Sequence, residues 1–297
     1  MGIGNDSARF LIAAKEAGVE FSDTITLGRQ WLFADAARLG PYSPDQAEGT
    51  SRGRSPWADA FLRNLGAVNL RCLDQSPFEG ATLLYDLGSP LPPELHDTCD
   101  FLFDGGTLEH IYDFPVAVRN CMALLRRGGH MCLWTPANNE CGHGFYQFSP
   151  ELFFRLFSRR NGFQLRSLML VEQRAFGSRW YAVRDPAAMG ERVCCVNTHP
   201  LFLLVLAKKI APIPESLSIY QSDYLVEWGA ETEPASLETG NKRHGPGLKN
   251  ALLRCVLACP GHIPRKIIRM YRSRVVYRLS NRKFFTPVKP ETFVLAE

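Results

Sequence analysis

The segment "CDFLFDGGTLEHIYDFPVAVRNCMALLRRGGHMCLWTPAN" (residues 99–138) decides the fold. It opens with a short apolar run at 100–104 that is typical of a buried strand and ends at two glycines. A helix is predicted over Pro115 to Arg127, where the glycines at 128–129 end it, and the next strand is predicted at 130–135. A strand, a helix and a second strand in this order indicate a parallel pair joined by a crossover.

The same alternation continues on both sides of this segment. Further strands are predicted at 24–27, 68–74, 81–86, 163–172 and 200–209, and further helices at 8–18, 55–66 and 150–162. The last two strands are joined by a long excursion, and we expect them to form a late hairpin that adds one antiparallel strand. The sequence therefore predicts an α/β protein with a Rossmann-like, doubly wound, mostly parallel sheet of about seven strands.

After residue 209 the alternation ends. We therefore expect an α/β domain over residues 1–210, followed by a connector and a basic, mainly helical C-terminal extension over 211–297. Between Lys242 and Pro290 the sequence has thirteen Lys or Arg residues and no Asp or Glu, although the net charge of the chain is only +4. This run fits packing on the acidic body of the same or a partner chain, or a peripheral contact with an anionic membrane through residues 242–283. No nucleic-acid partner is expected.

The overall composition is that of an ordinary soluble globular protein, with 45% apolar and 22% charged residues. The longest apolar runs are far shorter than the roughly 20 residues that span a bilayer. The N-terminus "MGIGNDS" has no basic segment and no apolar segment of a signal peptide. The nine cysteines contain no CxxC pair, which favours reduced thiols. We therefore expect a cytoplasmic protein, and the sequence does not predict its oligomeric state.

Candidate site residues lie where the predicted strands end. In an open α/β sheet, ligands bind beyond the carboxyl ends of the strands, near the point where the strand order reverses. Gly28 follows the first central strand, and the next three strands end on Asp74, Asp86 and Asp104. A carboxylate can accept hydrogen bonds from both hydroxyls of a ribose, and another can accept from the exocyclic amine of a base. These residues predict a nucleoside pocket and not a phosphate pocket.

Residues 99–138, together with "GHGFYQFSPELFFRLFSRRNGF" at 142–163, resemble the second half of a class I S-adenosylmethionine-dependent methyltransferase domain of the small-molecule type. In that family a strand of the type FDVV precedes a segment ending in LEH, a helix, a turn of the type LKPGG and another strand. The corresponding segments here are Cys99 to Phe103, Leu108 to His110, Pro115 to Leu125 and Arg126 to Trp134. The resemblance covers residues 22–210.

The resemblance implies that S-adenosylmethionine is the cofactor. It further implies that Asp74 binds the ribose diol, that Asp86 lies by the adenine, and that Asp104 and Gly105 line the methionine end. The implied activity is methyl transfer to oxygen or nitrogen of a small molecule or a glycan precursor. The alternative is a catalytically degenerate, methyltransferase-like binding or scaffold protein whose basic tail contacts an anionic surface or a partner.

The loop after the first strand departs from the family pattern. The family usually has GxGxG there, whereas this chain has Gly28, Arg29 and Gln30, and residues 31–54 lengthen the connection to the next strand. S-adenosylmethionine carries no phosphate, so the loop needs only close backbone approach and a partner for the methionine carboxylate. We expect Arg29 to be that partner through a bidentate ion pair, although its bulk stands where the family uses glycine.

Methyl transfer needs mainly proximity and orientation, with a base only if the acceptor must lose a proton. His110 and His143 are the candidate bases, and Tyr146 is a candidate substrate contact. The alternative for Glu109 and His110 is that they open the helix after the fourth strand and pack locally. The loop around His143 is equally consistent with a lid over the substrate or with a turn in which Gly142 and Gly144 relieve backbone strain.

No metal ion is expected from the sequence. Metal-dependent relatives carry another glutamate three residues before the glutamate of LEH, and this chain has Gly106 at that position.

Overall fold

The computed structural model of this chain describes residues 2–44, 57–228 and 270–293. The strands are β1 (Gly2–Ile3), β2 (Asp23–Leu27), β3 (Trp31–Leu32), β4 (Asn69–Asp74), β5 (Leu83–Leu84), β6 (Cys99–Asp104), β7 (Leu125–Asn138), β8 (Phe163–Arg174), β9 (Gly177–Val183), β10 (Leu201–Lys209) and β11 (Phe285–Val288). The helices are α1 (Asn5–Glu16), α2 (Ala36–Leu39), α3 (Asp59–Asn64), α4 (Phe114–Leu124), α5 (Pro150–Leu156), α6 (Pro186–Met189) and α7 (Ser222–Glu227). Short helical turns lie at Gly40–Tyr42, Pro93–Leu95, Leu108–His110, Arg159–Asn161, Arg272–Val276 and Pro290–Thr292.

Nine of these strands form one sheet in the order β11-β9-β8-β10-β7-β6-β2-β4-β5. The strands from β5 to β7 in this order pair in parallel, and the pairings from β7 to β11 are antiparallel. Seven strands therefore point one way, and β9 and β10 point the other way. The Rossmann-like, mostly parallel fold expected of a class I methyltransferase domain is confirmed, with β10 as the late antiparallel strand.

The sheet is larger than expected because β9 and β11 extend it beyond β8. β9 completes a hairpin with β8 after the turn before Gly177. β11 pairs with β9 at the outer edge, where the missing N–H of Pro287 costs no hydrogen bond to a further strand. The predicted boundary after residue 210 stays a prediction, but residues 285–288 return to the sheet. Residues 229–269, with most of the basic segment, lie outside the described residues.

The two faces of the sheet carry separate buried clusters. On one face, Leu102 and Met131 pack with residues of α4 and α5. On the other face, Phe101, Phe103 and Cys132 pack with residues of α1 and α3. Alternating side chains of one strand thus enter different cores, as the period of two requires, and the helices cover both faces. None of the helices in the described ranges combines the length and the hydropathy that a membrane-spanning segment needs.

The predicted end of the helix before β7 was wrong. α4 ends at Leu124 and β7 begins at Leu125, so the glycines at 128–129 lie inside the strand. A Cβ at Gly129 would stand 2.8 Å from the carbonyl oxygen of Asp100, so glycine there allows β7 to approach β6 closely. Arg126, which the predicted helix included, lies in β7 and forms ion pairs with Asp23 and, at 3.0 Å, with Asp100.

Candidate active site

The strand order reverses between β2 and β6, which pair directly with each other. Leu27 at the end of β2 lies opposite Asp104 at the end of β6, and opposite Leu73 near the end of β4. The topology therefore brings the predicted residues Gly28, Asp74 and Asp104 to the same edge of the sheet, at the position where open α/β sheets bind ligands.

Gly28 adopts a left-handed backbone conformation, with φ of +66°, and its N–H donates to the carbonyl oxygen of Leu73 at 2.8 Å. The Arg29 that follows does not have a free guanidinium. Its Nη2 lies 3.3 Å from Oδ2 of Asp59, and its Cζ lies 4.5 Å from the ring centroid of Trp57. The use of Arg29 for a carboxylate ligand therefore requires competition with Asp59.

Gln30 is a site residue to which the sequence interpretation gave no role. The residue is 2% exposed, and its Nε2 donates to the carbonyl oxygens of Leu27 and Gly28 at 2.7 and 3.1 Å. These bonds direct Oε1 toward Gly105, where a Cβ would stand only 2.1 Å from it. Oε1 has no hydrogen-bond partner among the described residues. The glycine at 105 is thus required by the side chain of Gln30 as it lies in this structure.

Asp74 and Asp86 both close turns after their strands. Oδ1 of Asp74 accepts from the N–H of Ser76 at 3.0 Å, and the residue is half-buried. Oδ1 of Asp86 accepts from the N–H of Gly88 at 2.8 Å, and Asp86 is exposed. Asp74 ends β4, whereas β5 ends two residues before Asp86. Asp74 is therefore the better placed of the two for a ligand beside Gly28.

Asp104 is completely buried. Its Oδ1 accepts from the N–H groups of Gly106 and Thr107 at 3.1 and 2.7 Å, whereas its Oδ2 has no hydrogen-bond partner in the described ranges. Burial raises the pKa of this carboxyl to about 6, against the lowering effect of the backbone N–H groups. An ionised Asp104 thus has one buried oxygen to which no residue in the described part of the chain donates.

Glu109, His110 and His143 lie together beyond this turn. Glu109 is completely buried, and its Oε2 accepts from Oγ1 of Thr135 at 3.3 Å. The rings of His110 and His143 are exposed, with centroids 5.4 Å apart. Burial, and then the charge of Asp104, raises the pKa of Glu109 to about 8. Burial, and then the charge of His143, lowers the pKa of His110.

The predicted substrate contact Tyr146 has its hydroxyl engaged. The hydroxyl donates to the carbonyl oxygen of Tyr112, and the ring stacks on Phe148 with centroids 5.8 Å apart. A separate cavity of about 610 Å³ lies near the other end of the parallel strands, where β6 and β7 begin, and is lined by residues including Arg119 and Lys209. None of the predicted site residues lines that cavity.

No protein-family profile and no curated protein sequence matches this chain. Solved structures are similar at low identity. The branched-chain polyamine synthase of Thermus thermophilus is 14% identical, over 72% of this chain and 58% of that chain, with a TM-score of 0.38. The [4+2]-cyclase SpnF is 12% identical over 69% and 82%, with a TM-score of 0.41. An S-adenosylmethionine-dependent methyltransferase of Mesorhizobium loti is 13% identical over 68% and 97%, with a TM-score of 0.31.

This chain thus spans little more than half of the polyamine synthase. At these identities and TM-scores the similarity concerns the fold alone.

Proposed function

We propose that this chain binds S-adenosylmethionine at the carboxyl ends of β2, β4 and β6, and transfers its methyl group to oxygen or nitrogen of a small molecule or glycan precursor. The observation that carries the proposal is a pair of buried acceptor atoms, Oε1 of Gln30 and Oδ2 of Asp104, to which no described residue donates a hydrogen bond. Leaving a buried acceptor unpaired costs about 1–3 kcal/mol. A ligand that brings donors and positive charge to this edge would offset that cost.

The donors and acceptors of this edge fit the cofactor. An ammonium group has three N–H donors and a positive charge, which suit the carboxylate of Asp104 and the amide oxygen of Gln30. Asp74, at the end of the neighbouring strand, offers a carboxylate to a ribose diol. The left-handed turn at Gly28 has no Cβ, so a ligand can approach the backbone there. When bound, the sulfonium supplies a methyl group that is already activated for transfer.

The acceptor side of the site is formed by His110 and His143. Both rings are exposed, so an acceptor can reach them from solvent. In this arrangement the chain mainly orients the two substrates. Orientation can supply a large part of the lowering of the activation barrier in a two-substrate reaction.

A non-catalytic binding role is the second candidate, and two contacts favour it. The side chain of Gln30 occupies the space beside Gly105, and Arg29 is paired with Asp59. If these contacts persist, they narrow the crevice in which the methionine end would lie. Because these contacts act against the cofactor, a measurement of S-adenosylmethionine binding distinguishes the two candidates.

Calorimetric titration of the full chain with S-adenosylmethionine and with S-adenosylhomocysteine tests the proposal. We expect saturable heat with both, and binding to the Asp74→Asn variant that is weaker by about tenfold or more, since a hydrogen bond to a charged group contributes roughly 1.5–3 kcal/mol. Asparagine keeps the Oδ1 that accepts from Ser76. The control is Glu94→Gln, which removes an exposed charge in the turn before β6.

Absence of heat with both ligands, in a sample that unfolds cooperatively, would contradict the enzymatic proposal. Equal affinity of Asp74→Asn and the unchanged chain would mean that Asp74 does not contact the ribose.

A further inference from the structure

We propose that Glu109, His110 and His143 form a binding site for a divalent transition-metal ion of the zinc type. Each side chain offers one ligand atom, and the three atoms lie within 4.8 Å of one another. In the described ranges no other three His, Cys, Asp or Glu side chains are grouped in this way. The inference departs from the expectation of no metal, and it does not depend on cofactor binding.

The first supporting observation is the unpartnered oxygen of Glu109. The side chain is 1% exposed, and Oε1 accepts no hydrogen bond from the described residues. Its other oxygen is held by the hydroxyl of Thr135 at 3.3 Å, which fixes the orientation of the carboxylate. In metal sites, a hydrogen bond to the ligand atom that does not contact the ion commonly orients the ligand in this way. A buried carboxylate oxygen that is held in place but not satisfied is suited to a cation.

The second observation is a distance. Oε1 of Glu109 lies 3.6 Å from Nε2 of His143, which is longer than the range of about 2.7–3.2 Å for an N–H···O hydrogen bond. Two ligands about 2.0–2.1 Å from a tetrahedral ion stand roughly 3.3–3.4 Å apart. The pair therefore has nearly the spacing of two ligands of one ion. His110 is exposed, so rotation of its side chain can close the remaining gap.

The loop that carries His143 is tied to Glu109 by its backbone. The N–H groups of Phe145 and Tyr146 donate to the carbonyl oxygen of Glu109 at 2.8 and 3.2 Å. Gly144 has φ of +80°, and a Cβ there would stand 2.9 Å from the same oxygen. Glycine at 144 thus allows the loop to cross directly over Glu109. The proximity of His143 to the carboxylate follows from these contacts and not from the two side chains alone.

The ligand set indicates the kind of metal. Two imidazoles and one carboxylate suit zinc or ferrous iron, whereas calcium and magnesium prefer oxygen ligands alone. Three protein ligands leave a coordination position open, as in catalytic zinc sites. If the proposed methyl transfer is correct, an oxygen of the acceptor would occupy that position, and His110 and His143 would act as metal ligands and not as free bases.

Cobalt is the probe that tests the site. The untagged full chain, stripped of metal with a chelator, is titrated with Co²⁺ while its visible absorption is followed, and Zn²⁺ is then added as a competitor. We expect one equivalent to bind with the intense bands of low-coordinate Co²⁺, and Zn²⁺ to remove them. In His143→Ala and in His110→Ala the affinity for Co²⁺ should fall by about tenfold or more. The loss of a group that only hydrogen-bonds to a metal ligand already lowers metal affinity by roughly 10–100-fold.

The matched control is His199→Ala. His199 is a partly exposed histidine whose Nδ1 lies 3.7 Å from a buried glutamate, Glu172, but that glutamate is paired with Arg174. Its removal should leave Co²⁺ binding unchanged. Absence of the bands, or equal binding in His143→Ala and the unchanged chain, would overturn the proposal.

Titration of the same metal-free samples with S-adenosylhomocysteine separates this inference from the proposed function. Ligand heat without cobalt bands would refute only the metal site. Cobalt bands without ligand heat would refute only the cofactor.

Discussion

Asp104→Asn is expected to weaken the binding of S-adenosylmethionine and S-adenosylhomocysteine by about 30-fold or more, while the protein stays folded. Removing one partner of a buried charge pair costs roughly 2–5 kcal/mol of binding free energy. Asparagine can keep the Oδ1 acceptor for the N–H groups of Gly106 and Thr107, so the turn after β6 is retained. Calorimetric titration of the variant and of the unchanged chain measures the difference in affinity.

The same substitution should not destabilise the ligand-free protein at neutral pH. Burial raises the pKa of Asp104 from 3.8 to about 6. Between these two pH values the folded chain therefore keeps a proton on Asp104 that the unfolded chain releases. This carboxyl therefore lowers the free energy of unfolding as the pH rises from about 4 to 6, and an uncharged side chain removes that loss. Thermal unfolding at pH 7.5 should give Asp104→Asn a Tm equal to or above that of the unchanged chain. A clear drop in Tm accompanying the lost binding would contradict the assignment of Asp104 to the ligand.

The largest effect on stability is expected for Phe101→Ala. Phe101 is completely buried in β6, and its ring centroid lies 4.1 Å from that of Phe21. Truncation of a core phenylalanine to alanine costs about 3–5 kcal/mol through lost burial and the cavity left behind. Urea unfolding should therefore show a large fall in the midpoint. The control is Phe176→Ala, because Phe176 is fully exposed and its loss should change the free energy of unfolding by less than about 0.5 kcal/mol.

A cost below about 1 kcal/mol for Phe101→Ala would mean that the face of the sheet covered by α1 and α3 is not packed as described. Equal losses for Phe101→Ala and Phe176→Ala would contradict the strand orientation of β6.

The centre of the sheet was predictable because its strands are short apolar runs bounded by glycine or aspartate. β2, β4 and β6 were found within one residue at each end, and Asp74 and Asp104 do end their strands. The carboxyl ends of parallel strands meet at one edge, so this grouping followed from strand order alone. The strand at the outer edge was harder to predict from the sequence. β11 contains Pro287, which argues against a strand unless its position at the edge is known.

The site contains two residues whose importance no local pattern showed. Gln30 follows Gly28 closely, but the direction of its amide toward Gly105 depends on the pairing of β2 with β6. From the sequence, Glu109 was only part of the LEH segment, with the alternative that it opens the helix after the fourth strand and packs locally. Its burial depends on the distant loop at 142–146, which crosses it through backbone hydrogen bonds. Tertiary contacts of this kind turn an ordinary polar residue into an unsatisfied buried one.

The predicted role of Arg29 has a similar limit. Its position beside Gly28 is fixed by sequence, but its partner is Asp59 at the start of α3, after the inserted residues. A carboxylate ligand would have to displace or share that partner. The position of a residue in a motif thus does not determine the direction of a long side chain.

A crystal structure of the full chain with S-adenosylhomocysteine tests the central claim most directly. We predict electron density for the ligand beside Gly28, Asp74 and Asp104, with its amino group near Oδ2 of Asp104. Density in the cavity lined by Arg119 and Lys209 near the other end of the parallel strands, or no ligand density at saturating concentration, would contradict the claim that this edge binds the cofactor.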